Sequence, residues 1–200
     1  MLKTVEAVQS GLAEPVVIIG ARGQGKSHLM AALSHMHQDK DATVNWLNDW
    51  SVRLKNPEIA NLKLQYGMHV ITESLHLQRY KHIWDVLFDQ HPHGNIIKAK
   101  WEVHGTEVPS YDLILEMAEN KPFILILDEF QTWFEGLTNS NQYKRKTWAF
   151  NFIQILSEIS EKHPELLTLV VSVREGNSDA AQQLFRVNPV RIDFKGPEAK

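Results

Sequence analysis

The apolar run Val16-Val17-Ile18-Ile19 leads into Gly20-Ala21-Arg22-Gly23-Gln24-Gly25-Lys26-Ser27, and His28-Leu29-Met30-Ala31-Ala32-Leu33 follows as a run of mostly helix formers. Gly-x-x-x-x-Gly-Lys-Ser between a buried-type strand and a helix predicts a phosphate-binding loop. Glycines at 20, 23 and 25 allow a tight turn that aims several backbone N–H groups at one anion. The helix behind the loop adds its positive dipole end. Lys26 supplies a point charge for β- and γ-phosphates, and Ser27 supplies a hydroxyl for Mg²⁺. The expected nucleotide contacts therefore run from Gly20 through His28, Ala21, Arg22 and Gln24 included. An ordinary glycine-rich turn would not require this strand and helix on either side.

A second motif supports the first. Phe123-Ile124-Leu125-Ile126-Leu127 is apolar without alternation, which suits a strand buried on both faces of a parallel sheet, and it ends in Asp128-Glu129. Asp128 is expected beside the loop, holding Mg²⁺ through water or through Ser27. Glu129 is expected to orient and deprotonate the water that attacks the γ-phosphate. Taken alone, the pair also reads as solvated acids closing a strand.

Two hundred residues suit one α/β domain, alone or with a small appendage. The absence of Cys excludes disulfides and thiolate metal sites and fits a reducing compartment. No apolar run reaches the roughly 18 residues of a membrane span, and the amino terminus lacks a signal-peptide core, so the expected location is the cytoplasm without membrane contact. A net charge of −3 gives no global argument for nucleic acid. Most of the six Trp are expected in the core or at an interface.

Along the chain, the pattern predicts a short helix over 3–12, a strand over 15–19, a helix over 26–37 and a break at 39–42. A helix over 43–54 stopped by Asn56-Pro57, a loop over 57–66 and a strand over 68–72 follow. Apolar residues at 77, 80, 83, 84, 87 and 88 predict an amphipathic helix over 77–90. Residues 96–103 read as extended, part of an insertion over 95–108 outside the main sheet. Ser110 caps a helix through Glu119. The strand over 123–127, a helix over 148–162, a strand over 167–173, a short helix over 178–186 and a strand over 190–194 complete the order. Alternating strands and helices predict a three-layer α/β fold: a mostly parallel, doubly wound sheet with helices on both faces. Residues 1–200 read as a single domain.

Among phosphate-loop classes, no Asn/Thr-Lys-x-Asp guanine reader is present, and no Leu-Ser-Gly-Gly precedes the acidic strand. A small-molecule kinase does not need Glu directly after Asp. Asp128-Glu129 therefore favours water as the nucleophile, and so ATP hydrolysis. Ser172, near the carboxyl end of its strand, is placed where AAA+ ATPases carry a γ-phosphate sensor, and the alternative is a buried Ser bonded to backbone. Arg174 reads as a second contact or as a surface residue. Arg186, and after it Arg191, sit at the helix-to-strand corner that resembles the AAA+ arginine-finger position. For each of them a surface Arg at a helix end is the competing reading.

The chain also resembles a narrower group. The stretches 19–28, 68–76, 84–92, 127–137 and 196–200 are similar to the N-terminal ATPase region of the large BrxC/PglY-type proteins of bacteriophage-exclusion systems. This resemblance implies an AAA+-like ATPase core, a part in phage resistance, a homo-oligomer or larger defence complex, and DNA reached through other domains or partners. It also implies that the chain is the amino-terminal part of a longer protein, because such a core normally continues into a helical lid. Two other readings stay open: an ATP-dependent switch or scaffold with little turnover, and a helicase-type DNA motor.

Several signals are discounted. His35 and His37 are two apart on a helix and point to different sides, and His91 and His93 flank Pro92 without an obvious third ligand. Solvated histidines are expected, since a metal site needs three or four converging ligands. Lys144-Arg145-Lys146 is too small a cluster to argue for DNA on its own, and Trp133-Phe134 is expected in the core.

Overall fold

A computed structural model describes residues 15–62, 67–77 and 79–194. The helix expected over 3–12 lies outside them. Five strands, β1 (Val16–Ile19), β2 (His69–Ser74), β3 (Phe123–Asp128), β4 (Leu167–Val173) and β5 (Val190–Asp193), form one sheet in the order β2-β3-β4-β1-β5. Every pairing is parallel. The helices are α1 (Lys26–Gln38), α2 (Lys40–Arg53), α3 (Asp85–Gln90), α4 (Gly94–His104), α5 (Tyr111–Asn120), α6 (Phe130–Gly136), α7 (Arg145–Lys162) and α8 (Asp179–Phe185). The result is a three-layer α/β fold, a parallel sheet with helices packed on both faces.

The unbroken apolar runs follow from burial on both faces. Successive β3 residues serve two separate cores, as the two-residue strand period dictates. Ile124 and Ile126 meet Val16, Ile18 and Val170 from the sheet and Leu29, Leu33 and Leu47 from α1 and α2. Phe123, Leu125 and Leu127 join Val17, Ile71 and Val171, with Ile114 of α5 and Phe152 and Leu156 of α7.

Strand order decides what the sheet can present at its carboxyl edge. β1, which feeds the glycine loop, and β3, which ends in Asp128, are not neighbours, because β4 lies between them. Ser172 pairs with Ile18 in the β1–β4 register and comes from the strand separating the two motifs.

Three local expectations are corrected. The helix expected over 77–90 is confined to Asp85–Gln90, with a single 3₁₀ turn over Leu75–Leu77 before it. The Asp85 carboxylate accepts the His82 N–H at 2.9 Å, a side-chain bond that competes with helical pairing of the preceding turn. Residues 96–103 are helical, not extended, within α4. Ile97 and Trp101, four apart, pack inward, while Ile96 and Val103 face out. The break expected over 39–42 shrinks to one residue. Asp39 closes α1 through its N–H to His35 and caps α2 by accepting the Ala42 N–H at 2.9 Å.

Candidate phosphate and metal site

The glycine loop connects β1 to α1 with the geometry the spacing requires. Gly25 stands before the helix at φ 91°, a left-handed conformation that costs an L side chain roughly 1–2 kcal/mol. At Gly20, a Cβ would lie 2.7 Å from Gln24 Oε1 and 2.8 Å from Phe194 Cβ, so the loop closes against β5 with no room for a side chain. Gln24 braces the turn, its Oε1 accepting the Ala21 N–H at 2.7 Å. Lys26 is buried, and its Nζ donates to the carbonyls of Gly20 at 2.7 Å and Ala21 at 3.2 Å. The ammonium is thus held inside the curve of the loop.

Ser27, on the first turn of α1, donates its hydroxyl to Asp128 Oδ2 at 2.5 Å. The two motifs, 101 residues apart in the chain, therefore meet at one oxygen pair. Asp128 Oδ1 accepts from Ser172 Oγ and from the Glu129 N–H at 2.9 Å, and that N–H also meets Ser172 Oγ at 3.0 Å. Ser172 has no solvent exposure. The structure places it behind the acidic pair, bonded to a carboxylate and a backbone N–H, rather than on the cleft wall.

Glu129 takes φ 57°, one of three non-glycine residues at positive φ among those described. The conformation turns its N–H into the Asp128–Ser172 cluster while its C=O accepts from Thr132 and Trp133 to start α6. Backbone strain of this kind persists where surrounding contacts over-determine it. The Glu129 side chain is partly exposed. Its Oε2 accepts from Thr132 Oγ1 at 3.1 Å and lies 4.0 Å from Arg174 Nε.

These groups face a cleft of about 380 Å³ lined by Ser27, Asp128, Glu129, Thr132, Arg22 and Arg174, with Ser74 and His76 on the β2 side. Ser74 Oγ and His76 Nδ1 are 2.8 Å apart. Two supporting residues escaped the sequence reading. Thr132 sits one helical turn after Glu129, a spacing that gave a usable signal. Buried Gln131 gave none: its Oε1 accepts the N–H groups of Arg174 and Glu175, each at 3.0 Å, and fixes the chain leaving β4.

The remaining expected residues fall elsewhere. His28 is exposed and lines no part of the cleft. Arg186 ends α8 in a separate cleft with Lys146 and Phe150, its Cζ 5.6 Å from the Phe150 ring. Arg191 lies on edge strand β5, its Cζ 3.7 Å above the Phe185 ring. Neither reaches Asp128 or Glu129 within the chain.

The histidines depart from the solvated reading. His37 and His91 are buried. His91 Nε2 donates to the Lys121 carbonyl at 2.9 Å, and Nδ1 accepts the His93 N–H at 3.1 Å, a pairing that requires the neutral ring. Burial lowers its pKa to about 4. Among the described residues, no group of three or more His, Asp or Glu side chains is gathered to hold a metal ion, and no helix is long and apolar enough to cross a membrane.

No family model and no curated protein matches the chain. A solved structure of PCH-2 from C. elegans is similar over 98% of this chain and 41% of that one, at a TM-score of 0.43 and 10% sequence identity. The chain thus spans less than half the length of that neighbour.

Proposed function

We propose that the chain binds Mg-ATP in the cleft at the carboxyl edge of the sheet and hydrolyses its γ-phosphate bond. The observation that carries this reading is the meeting of Ser27 and Asp128 at 2.5 Å beneath a glycine loop that curves around the Lys26 ammonium. Two oxygen donors fit a hard cation such as Mg²⁺, which takes few protein ligands and completes its shell with substrate phosphates and water. An ion held there by Ser27 and Asp128 would supply positive charge against the charge that develops on the transferred phosphoryl group.

The chain's own residues supply the rest. The loop N–H groups and the start of α1 cradle the phosphates. Lys26 exchanges its two carbonyl partners for phosphate oxygens, which suits an ammonium held by neutral acceptors alone. Ser172 keeps Asp128 oriented. Glu129, once its carboxylate leaves Thr132, takes the proton of the attacking water, and Arg174 serves as a second contact on the same wall. Arg186, and after it Arg191, is assigned as a finger that a neighbouring copy of the chain supplies, since neither lines this chain's cleft. Participation in phage exclusion rests on the resemblance of the five stretches alone, and a plaquing assay with a Lys26→Ala gene tests it.

A binding switch with little turnover is the second reading. It is favoured by one observation: Glu129 Oε2 accepts from Thr132 and lies near Arg174, an arrangement that occupies one oxygen of the base. Calorimetric titration of Mg-ATP and Mg-GTP into the chain and its Lys26→Ala variant tests the shared premise. ATP-selective heat lost in the variant supports it, and no heat from the parent chain overturns it. Phosphate release then separates hydrolysis from a switch.

A further inference from the structure

At the far end of α6 from Glu129 lies a second groove, of about 360 Å³, walled by Arg79, Lys81 and Arg145 with Trp133 and Leu137. Arg79 and Lys81 come from the stretch before α3, and Arg145 is the first residue of α7. Tertiary structure therefore gathers cations that the sequence disperses. It also divides the Lys144-Arg145-Lys146 triplet: Arg145 enters this groove, while Lys146 turns to the cleft that holds Arg186.

Among the described residues, no carboxylate lines the groove. Several nearby acids have other partners, although Asp85 and Asp89 share an adjoining cleft with Arg79 and Lys81. Asp85 accepts the His82 N–H, Asp89 accepts Tyr80 Oη–H at 2.7 Å, and Glu107 accepts Trp148 Nε1–H at 2.8 Å. Glu73 is buried and takes Gln90 Nε2–H at 2.9 Å, with Arg79 Nε at 4.0 Å. Among the described residues, neither Lys81 nor Arg145 has a carboxylate within ion-pair distance, although the chain is net negative. Both cations are poised over one ring: Lys81 Nζ lies 5.4 Å and Arg145 Cζ 6.0 Å from the centroid of Tyr143, which is 47% exposed.

Converging cations that lack partners repel one another, and an anionic ligand relieves that repulsion. Cations in a concavity beside an exposed aromatic ring match a strand whose phosphates and bases alternate. An acidic peptide offers no base to stack. A duplex is read by elements that protrude into its grooves, whereas this surface is recessed. We propose that the groove binds single-stranded nucleic acid, with backbone phosphates on Arg79, Lys81 and Arg145 and a base against Tyr143. The proposal does not rest on the ATP reading.

Fluorescence anisotropy of a labelled oligo-dT of about 15 nucleotides, titrated with the full chain at several salt concentrations, tests it. Binding should weaken with salt, and Lys81→Ala/Arg145→Ala should weaken it at least about 10-fold and lower the logarithmic salt slope by about 0.7 per charge removed. Tyr143→Leu should weaken binding about 5-fold or more with the slope unchanged. Lys81→Arg/Arg145→Lys should retain binding, and Lys26→Ala should bind like the parent, which separates this groove from the glycine loop. No binding at low salt overturns the proposal. So does unaltered affinity in the double alanine variant, tighter binding of a hairpin duplex, displacement by polyglutamate as effective as by unlabelled oligo-dT, or loss of binding in Lys26→Ala.

Discussion

Ser172→Ala removes a hydroxyl that makes two contacts, and the structure indicates how much each is worth. The donor side is a charge-assisted bond to Asp128 Oδ1 in a site closed to solvent. The acceptor side takes the Glu129 N–H, but that N–H keeps its 2.9 Å bond to Asp128 Oδ1. No backbone donor is orphaned, so the loss is that of one bond to a charged group, about 2 kcal/mol. For a chain of this size that corresponds to a fall in Tm of roughly 4–8 °C. Asp128→Asn leaves an acceptor in place while discharging it, so a double-mutant cycle between the two positions should show a coupling of about 1 kcal/mol or more. Thermal unfolding followed by circular dichroism supplies the values, and Mg-dependent phosphate release supplies the functional counterpart. A shift in Tm below about 1 °C, together with zero coupling, would refute the claim that Ser172 anchors the acidic pair.

Other outcomes follow from the same geometry. Glu129→Gln should leave Mg-ATP affinity within about 3-fold in calorimetry while lowering phosphate release by about 100-fold or more, and equal losses in both would count against its role as base. The folded pKa of His91 lies below the usual 6.5, so the unfolded chain takes the proton first. Its contribution to stability is complete above about pH 6.5 and is lost as pH falls toward about 4, at most about 3 kcal/mol in all. Denaturant unfolding across this window should show the decline, and His91→Gln should flatten it. Gln131→Leu takes one acceptor from two backbone N–H groups and should cost about 2 kcal/mol. Amide hydrogen exchange at Arg174 and Glu175 should quicken, and unchanged exchange there would contradict the proposed clamp.

How much of the molecule was legible beforehand depended on the range of the interactions involved. Strands β1, β3 and β4 were readable because burial on both faces leaves a continuous apolar run, and the glycine loop because its backbone conformation demands particular residues at particular spacings. Helices α1, α5 and α8 were readable from local patterns and caps. The stretch over 77–90 misled because Ile83 and Trp84 are buried, as a helical face would be, yet the Asp85 side chain captures the N–H of His82. Residues 96–103 misled because β-branched Ile96 and Val103 look extended, while the inward pair of Ile97 and Trp101 is what the core selects.

The sequence by itself determined that a glycine loop with Lys26 and Ser27 would open α1 and that a buried strand would end in Asp128-Glu129, because both follow from backbone sterics and strand burial. The tertiary structure alone decided that β4 separates those motifs and that Ser172 joins them. It also decided that Thr132 and Arg174 flank the Glu129 carboxylate, that Gln131 holds the chain beyond β4, and that Lys81 and Arg145 converge beside Arg79 without carboxylate partners of their own among the described residues. Strand order and the packing of α6 against the sheet bring together groups far apart in the chain. Such contacts leave no periodicity in the sequence, because each is set by where two elements happen to meet rather than by the local preference of either.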